Sequence, residues 1–188
     1  MVPDALPLHV SAALVGGLAD LGRDSFHEAT IGRGQDSTRN PFVRRNKISW
    51  IADDDATLGP WHEWIDALRT YLNRTLYLGL YSFESHYMRY DAGDRYKRHF
   101  DAFRGERNRI VSLVTYLNEG WQPDQGGELL LYVEGEEPVR VTPAFGTVVL
   151  FLSEEMPHEV LPTARTRFGV AGWFRLNASI NNQIDPPR

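Results

Sequence analysis

The chain has 188 residues, with 20 basic and 25 acidic side chains and a formal net charge of −5. That length suits one domain with a core of its own. The acidic balance argues against sequence-independent nucleic-acid binding, which runs on phosphate neutralisation. Cysteine is absent, which excludes disulfide scaffolds, thiolate zinc sites, iron–sulfur clusters and cysteine nucleophiles. A metal here must use His, Asp, Glu or backbone oxygen.

The first 22 residues carry Asp4, His9 and Asp20 and lack a basic leader region, so they do not read as a signal peptide. Leu14, Leu18 and Leu21 recur at helical spacing and predict a short helix, which Gly16 and Gly17 weaken. A polar stretch from Gly32 to Asn46 follows, with Arg39, Arg44 and Arg45, and reads as a long basic loop. Ile48 and Trp50 alternate with Lys47 and Ser49 and predict a strand. Asp53-Asp54-Asp55 lacks the spacing and glycine of a calcium loop and reads as a turn or helix cap. Pro60 opens the clearest amphipathic helix, with Trp61, Trp64, Ile65, Leu68, Tyr71 and Leu72 on its apolar face.

From residue 83 the chain reads as strands, near 83–90, 98–100, 110–118, 128–133, 139–142, 147–152 and 168–176. Turns at Asp91-Ala92-Gly93, Gly126-Gly127 and Pro143-Ala144-Phe145-Gly146 separate several of them, and residues 134–137 around Gly135 read as a hairpin tip. Many short strands with regular turns imply a barrel or jelly roll, mainly β with flanking helices in an α+β arrangement. The longest apolar runs, such as 147–152, are too short to span a bilayer. The expectation is a cytoplasmic protein with no membrane segment and no nucleic-acid partner.

His99-Phe100-Asp101 is the first chemical signal. Strand residues two apart share a face, so His99 and Asp101 can reach one metal while Phe100 points away. His158 closely follows the 147–152 strand and can complete the set. Arg167 shares strand parity with Ala171 and Trp173, with Gly169 between them. An inward arginine beside small residues suits a ligand carboxylate, which its planar fork binds through two bonds. Two histidines and one carboxylate leave open positions on non-haem Fe(II), although zinc hydrolases use such sets too. The arginine tilts the choice toward iron with a dicarboxylate co-substrate. His9, His27, His62 and His86 have no metal-like partners in sequence.

In this order the residues resemble the Fe(II)/2-oxoglutarate-dependent prolyl hydroxylases, over roughly residues 30–176. The carrying motifs are the run from Tyr87 to Asp101, Tyr116-Leu117-Asn118, Gly126-Gly127-Glu128-Leu129, and Pro157-His158-Glu159-Val160 followed by Arg167 and Trp173. Arg44-Arg45-Asn46-Lys47-Ile48-Ser49-Trp50-Ile51 is similar to the segment before the first core strand in the hypoxia-type branch and its bacterial relatives.

The resemblance implies a double-stranded β-helix, a cupin-like jelly roll, at about 81–176, supported by helices and loops at about 1–80 in one domain spanning 1–188. It implies Fe(II) on His99, Asp101 and His158, with 2-oxoglutarate and O2 as co-substrates and ascorbate as a stimulant. It implies that Arg167 pairs with the far carboxylate of 2-oxoglutarate, with Tyr90 and Tyr116 lining that pocket. Arg109 and Trp173 fall where the hypoxia-type enzymes contact their peptide, and Arg44 falls on a loop that folds over it. The implied reaction is C4 hydroxylation of a prolyl residue in a protein, which for the bacterial relatives is elongation factor Tu.

One departure is visible. Arg45-Asn46 stands where the hypoxia-type pattern has Gly-Asp. An aspartate there would pair with Arg109, whereas Asn46 offers only a neutral hydrogen bond. Two other readings stand beside this one: the same chemistry on a small molecule or free amino acid, and a non-catalytic barrel that senses a metal or carboxylate.

Overall fold

The computed structural model describes residues 4–29, 40, 42–102 and 108–176, together with Val2 and the segments 179–180 and 183–184. Most of the expected basic loop, including Arg33 and Arg39, lies outside the described residues.

Two antiparallel sheets make the core. The larger contains β1 (His27–Glu28), β2 (Lys47–Trp50), β3 (Ser82–Tyr90), β5 (Arg109–Tyr116), β8 (Val148–Leu152) and β10 (Arg167–Arg175), in the order β1-β2-β3-β10-β5-β8. The smaller contains β4 (Tyr96–His99), β6 (Leu129–Leu131), β7 (Val139–Val141) and β9 (His158–Val160), in the order β4-β9-β6-β7. A separate two-stranded hairpin pairs β11 (Ser179–Ile180) with β12 (Gln183–Ile184). The central chain thus alternates between two facing sheets, which is the double-stranded β-helix.

Strand alternation divides the large sheet into two faces. Tyr87, Val111, Leu113, Val170 and Phe174 point outward into a core shared with helices α1 (Leu8–Asp20) and α2 (Gly59–Leu76). Met88, Tyr90, Val114, Tyr116, Val149 and Phe151 point inward and pack against Leu129, Leu131, Val141 and Val160 of the small sheet. The inner core stops short of filling the barrel, and the polar side chains described below occupy the rest of that face.

The helices match expectation with one exception. Pro60 sits in the first turn of α2, and Trp61, Ile65 and Leu72 are buried. Trp61 stacks on Trp64 at 5.6 Å and meets Phe83 edge-on at 6.0 Å, which fastens the helix to β3. Tyr71, expected on the apolar face, is 61% exposed. At helical spacing it falls at the margin of the stripe, and its hydroxyl favours water there. Gly17 weakens α1 intrinsically but has a packing role. A Cβ there would come within 2.6 Å of the Tyr87 hydroxyl, which donates to the Leu14 carbonyl at 3.0 Å.

Strand boundaries shift where sequence signals are short. The strand expected at 98–100 is Tyr96–His99, and His158–Val160 forms a further strand outside the expected set. Asp55 caps a short 3-10 turn through Thr57, in line with the cap reading of the aspartate run. Residues 134–137 connect β6 and β7, with Gly135 at φ +80°. No helix among the described residues is long and apolar enough to cross a membrane.

Candidate active site

His99 ends β4 and His158 opens β9, and the two residues are directly opposite one another in the antiparallel register. Opposed residues share a face, so the imidazoles meet, with ring centres 4.2 Å apart. Asp101 lies in the bend just past β4 rather than within the strand. It reaches the same point from there, with Oδ1 3.6 Å from Nε2 of both histidines. One ligand atom from each of the three residues falls within a 4.8 Å cluster, the one such cluster found among the described residues. Donor atoms each about 2.1 Å from a common ion sit roughly 3–4 Å apart, so the spacing fits a single divalent metal. Phe100 points away and is about half exposed, as expected.

The local structure prepares these donors. Nδ1 of His99 faces the Lys97 carbonyl at 2.8 Å, and Nδ1 of His158 faces the Met156 carbonyl at 3.0 Å. A carbonyl only accepts, so each Nδ1 carries the proton and each Nε2 presents a lone pair to the cluster. Burial lowers the pKa of His158, against the pull of Asp101, and so favours the neutral form that binds metal. Burial pushes the Asp101 carboxyl up, but His158, His99 and the Ser112 hydroxyl outweigh it and hold the carboxyl well below its usual range. Tyr96 stacks on His99 with ring centres 3.5 Å apart, and Phe151 meets His158 at 4.7 Å. These flat contacts fix the planes of both imidazoles.

Arg167 opens β10 opposite Tyr90 of β3. On the other flank Tyr116 of β5 is opposite Gly169. The guanidinium is completely buried, 4.8 Å from the centre of each tyrosine ring. Among the described residues its three nitrogens have no hydrogen-bond partner, and neither does the Tyr116 hydroxyl. A buried guanidinium cannot shed its proton, and unpaired it costs several kcal/mol. Five N–H donors beside a tyrosine hydroxyl, with no carboxylate among the described residues to meet them, fit a carboxylate group from a ligand. Burial pushes the Tyr116 hydroxyl up to about 12, against the pull of Arg167, so it remains a neutral donor.

The two halves share one face. Trp173 lies opposite Ser112 across β10 and β5, and parity puts Arg167, Tyr116, Ser112 and Trp173 on the inner side. Ser112 Oγ donates to Asp101 Oδ2 at 2.7 Å, which joins that face to the metal donors. Gly169 separates Arg167 from Ala171 where space is short. A Cβ there would meet the Thr115 carbonyl at 2.5 Å and Met88 Cε at 2.7 Å.

Arg109 and Trp173 also meet, with the guanidinium carbon 3.6 Å from the indole ring centre. Arg109 has a partner that sequence reasoning missed. Its Nε and Nη2 both donate to Oε1 of buried Glu84, at 2.8 and 2.6 Å, and Arg175 lies 3.5 Å from Oε2 of the same carboxylate. Asn46 instead accepts from Arg44 Nε at 2.8 Å. Arg109 thus takes its carboxylate from Glu84 of β3, where the hypoxia-type pattern would offer an aspartate at position 46. Arg44 bridges to Tyr96 along the backbone and lies 4.7 Å over its ring, one layer from His99.

Trp50, His86, Tyr96, Ser112 and Ser153 were also missed. Trp50, Trp173 and the buried His86 ring form a triangle of mutual contacts, His86 lying 5.1 Å from Trp50 and 5.4 Å from Trp173 and the two indoles 6.4 Å apart. Lys47, one residue past the expected basic loop, pairs with Asp91 at 3.0 Å.

Residues 85–175 match the 2OG-Fe(II) oxygenase superfamily. The structure is similar to the crystal structure of a Pseudomonas putida prolyl-4-hydroxylase, at 36% identity over 93% of this chain and 90% of that one, with a TM-score of 0.83. A prolyl hydroxylase from Trichoplax adhaerens, solved with a hypoxia inducible factor peptide fragment, shares the fold at a TM-score of 0.82 and 24% identity, over 93% of this chain and 81% of that one. The chain is 35% identical to prolyl hydroxylase EGLN3 of Mus musculus over 85 residues, 44% of this chain. It spans about a third (35%) of the length of that curated relative.

Proposed function

The chain belongs to the 2OG-Fe(II) oxygenase superfamily, and we propose that it hydroxylates C4 of a prolyl residue in a protein, converting 2-oxoglutarate and O2 to succinate and CO2. One observation carries the reading. The buried guanidinium of Arg167, without a hydrogen-bond partner among the described residues, lies on the inner face of the large sheet, and Ser112 of that face reaches Asp101 of the His99–Asp101–His158 cluster. A dicarboxylate can engage both.

In this reading His99, Asp101 and His158 hold Fe(II). Three protein donors leave positions open for the 2-oxo acid and for O2. Bound iron supplies the redox chemistry that couples decarboxylation of the co-substrate to hydroxylation of a C–H bond. Arg167 takes the far carboxylate of 2-oxoglutarate in a two-bond clamp, with the Tyr116 hydroxyl as a further donor and Tyr90 as the opposite wall. That anchor fixes one orientation, so the 2-oxo end meets the metal donors. Ascorbate, the stimulant that the resemblance implies, would act as a reductant in the assay.

Arg44, Arg109 and Trp173 contact the substrate peptide. Trp173 offers a flat apolar ring suited to proline, and Arg109 covers that ring as a charged lid. Elongation factor Tu, to which the sequence resemblance points, is the first substrate to test. The test is mass spectrometry of that protein after incubation with this enzyme, Fe(II), 2-oxoglutarate, ascorbate and air, with succinate measured in the same tube. One added oxygen on a single proline, absent with Asp101→Ala, supports the whole reading. Succinate release without that oxygen keeps the oxygenase and discards this partner, leaving another protein, a small molecule or a free amino acid. A metal-loaded protein that yields neither product is a binding barrel rather than an enzyme.

A further inference from the structure

We propose that Ser112 and Ser153 form a hydroxyl relay that holds Asp101 as a one-oxygen ligand, and so sets both metal affinity and the number of open metal positions. The inference rests on the reading that His99, Asp101 and His158 bind a divalent metal. A chain of contacts that the ligand set does not require leads from Asp101 into the large sheet.

Ser112 Oγ lies 2.7 Å from Asp101 Oδ2 and 2.9 Å from Ser153 Oγ. Both serines are buried, at 1% and 0% exposure. An ionised carboxylate only accepts, so the single hydroxyl proton of Ser112 goes to Asp101. Ser112 has no second proton to give, and the Ser153 hydroxyl must therefore donate to Ser112. The direction of the relay is fixed as Ser153 to Ser112 to Asp101. Hydrogen bonds in such a chain polarise one another, and the last one, to a charged oxygen, is the strongest. The main chain repeats the link, since Ala102 N lies 3.4 Å from the Ser153 carbonyl and Ser153 N donates to the Ile110 carbonyl at 3.0 Å.

The two oxygens of Asp101 are thereby given different tasks. Oδ1 faces both imidazoles at 3.6 Å, and Oδ2 is turned to Ser112. A carboxylate free to chelate through both oxygens would occupy a position that a co-substrate needs. Asp101 lies past the end of β4, so its own backbone ladder does not hold it. The serines come from the inner face of β5 and from the residue just after β8. They tie the aspartate to the large sheet, while the histidines belong to the small one. Ser112 and Ser153 are thus positioning residues acting through Asp101.

The experiment is calorimetric titration of Mn(II), a redox-stable probe, into the apo forms of wild type, Ser112→Ala, Ser112→Thr and Ser153→Ala. A titration of 2-oxoglutarate into each Mn(II)-loaded protein follows, with thermal melts to establish folding. Ser112→Ala is expected to bind Mn(II) about 10-fold or more weaker, and to bind 2-oxoglutarate more weakly even when metal-saturated. Ser112→Thr keeps the hydroxyl and is expected to restore both affinities. Ser153→Ala removes the second donor and is expected to weaken Mn(II) several-fold, which serves should Ser112→Ala fold poorly. Folded Ser112→Ala or Ser153→Ala with affinity within about twofold of wild type overturns the relay, as does folded Ser112→Thr that binds no better than alanine. A wild type that binds no Mn(II) instead overturns the metal reading itself.

Discussion

Glu84 holds Arg109 over Trp173: Nε and Nη2 donate to one carboxylate oxygen, at 2.8 and 2.6 Å, while the guanidinium carbon sits 3.6 Å from the indole ring centre. Glu84 and Trp173 are themselves opposite one another in the β3–β10 register. The carboxylate also draws Arg175 to 3.5 Å, so one buried acid organises two arginines and an aromatic platform. Glu84→Gln keeps the shape but removes the charge between two cations. It is expected to destabilise the fold by about 3 kcal/mol and to raise the KM for a peptide substrate several-fold with little change in the KM for 2-oxoglutarate. Urea unfolding and steady-state kinetics check both. An unchanged peptide KM would mean that Arg109 does not need its platform.

Arg167 presents an opposition between stability and binding. Its charge is buried and unpaired among the described residues, and replacing such a group with a packed apolar one is often neutral or stabilising. Arg167→Met is expected to melt at the same temperature as the wild-type apo protein or higher. Added 2-oxoglutarate with Mn(II) is expected to raise the wild-type midpoint and leave the variant unmoved. A variant that melts well below wild type would assign Arg167 a structural role.

His86 sets a pH dependence of folding. Burial lowers its pKa to about 3 from 6.5, and the positive charges of Arg44 and Arg109 add to the shift, against a backbone hydrogen bond at Tyr87. Below 6.5 the unfolded chain takes a proton that the folded ring refuses. Stability therefore falls as pH drops from 6.5 towards 3, by about 1.4 kcal/mol per pH unit for this one group. His86→Phe keeps a ring in contact with Trp50 and Trp173 and is expected to flatten the slope. Urea midpoints of the two apo proteins at pH 7 and pH 5 test it, and parallel losses would contradict it.

Gly169 tests the packing beside the co-substrate floor. A methyl group there meets the Thr115 carbonyl at 2.5 Å and Met88 Cε at 2.7 Å. The carbonyl belongs to the β5 ladder and cannot move alone. Gly169→Ala is expected to cost about 1–3 kcal/mol by overpacking and to weaken 2-oxoglutarate by pushing on Tyr116, 3.3 Å away. Calorimetric titration alongside urea unfolding reads both effects.

Much of this architecture is legible in the sequence because it rests on local signals. The 3–4 spacing after Pro60 marks α2, and runs of strand-forming residues bounded by turns mark β3, β5 and β10. His99, Asp101, His158 and Arg167 stand out as residue types that ordinary cores avoid. The rest depends on register, which no local pattern carries. Glu84 and Ser112 matter because β10 brings Trp173 between them. Ser153 matters because β8 ends one residue before it, beside Ser112. β9 has three residues, too few to display alternation. Asp101 reaches the histidines from a bend, so the strand argument that paired it with His99 gave the right neighbours by an incomplete route.

The central claim is that the metal donors and Arg167 serve one co-substrate. Titration of 2-oxoglutarate into wild type, Asp101→Ala and Arg167→Met, each with and without Mn(II), tests it most directly. The expected result is tight binding only to wild type with Mn(II), with each variant weakened at least about 10-fold, as loss of a charge-assisted contact implies. Binding that is indifferent to Mn(II), or that survives the loss of Arg167, would show two unrelated features sharing a barrel.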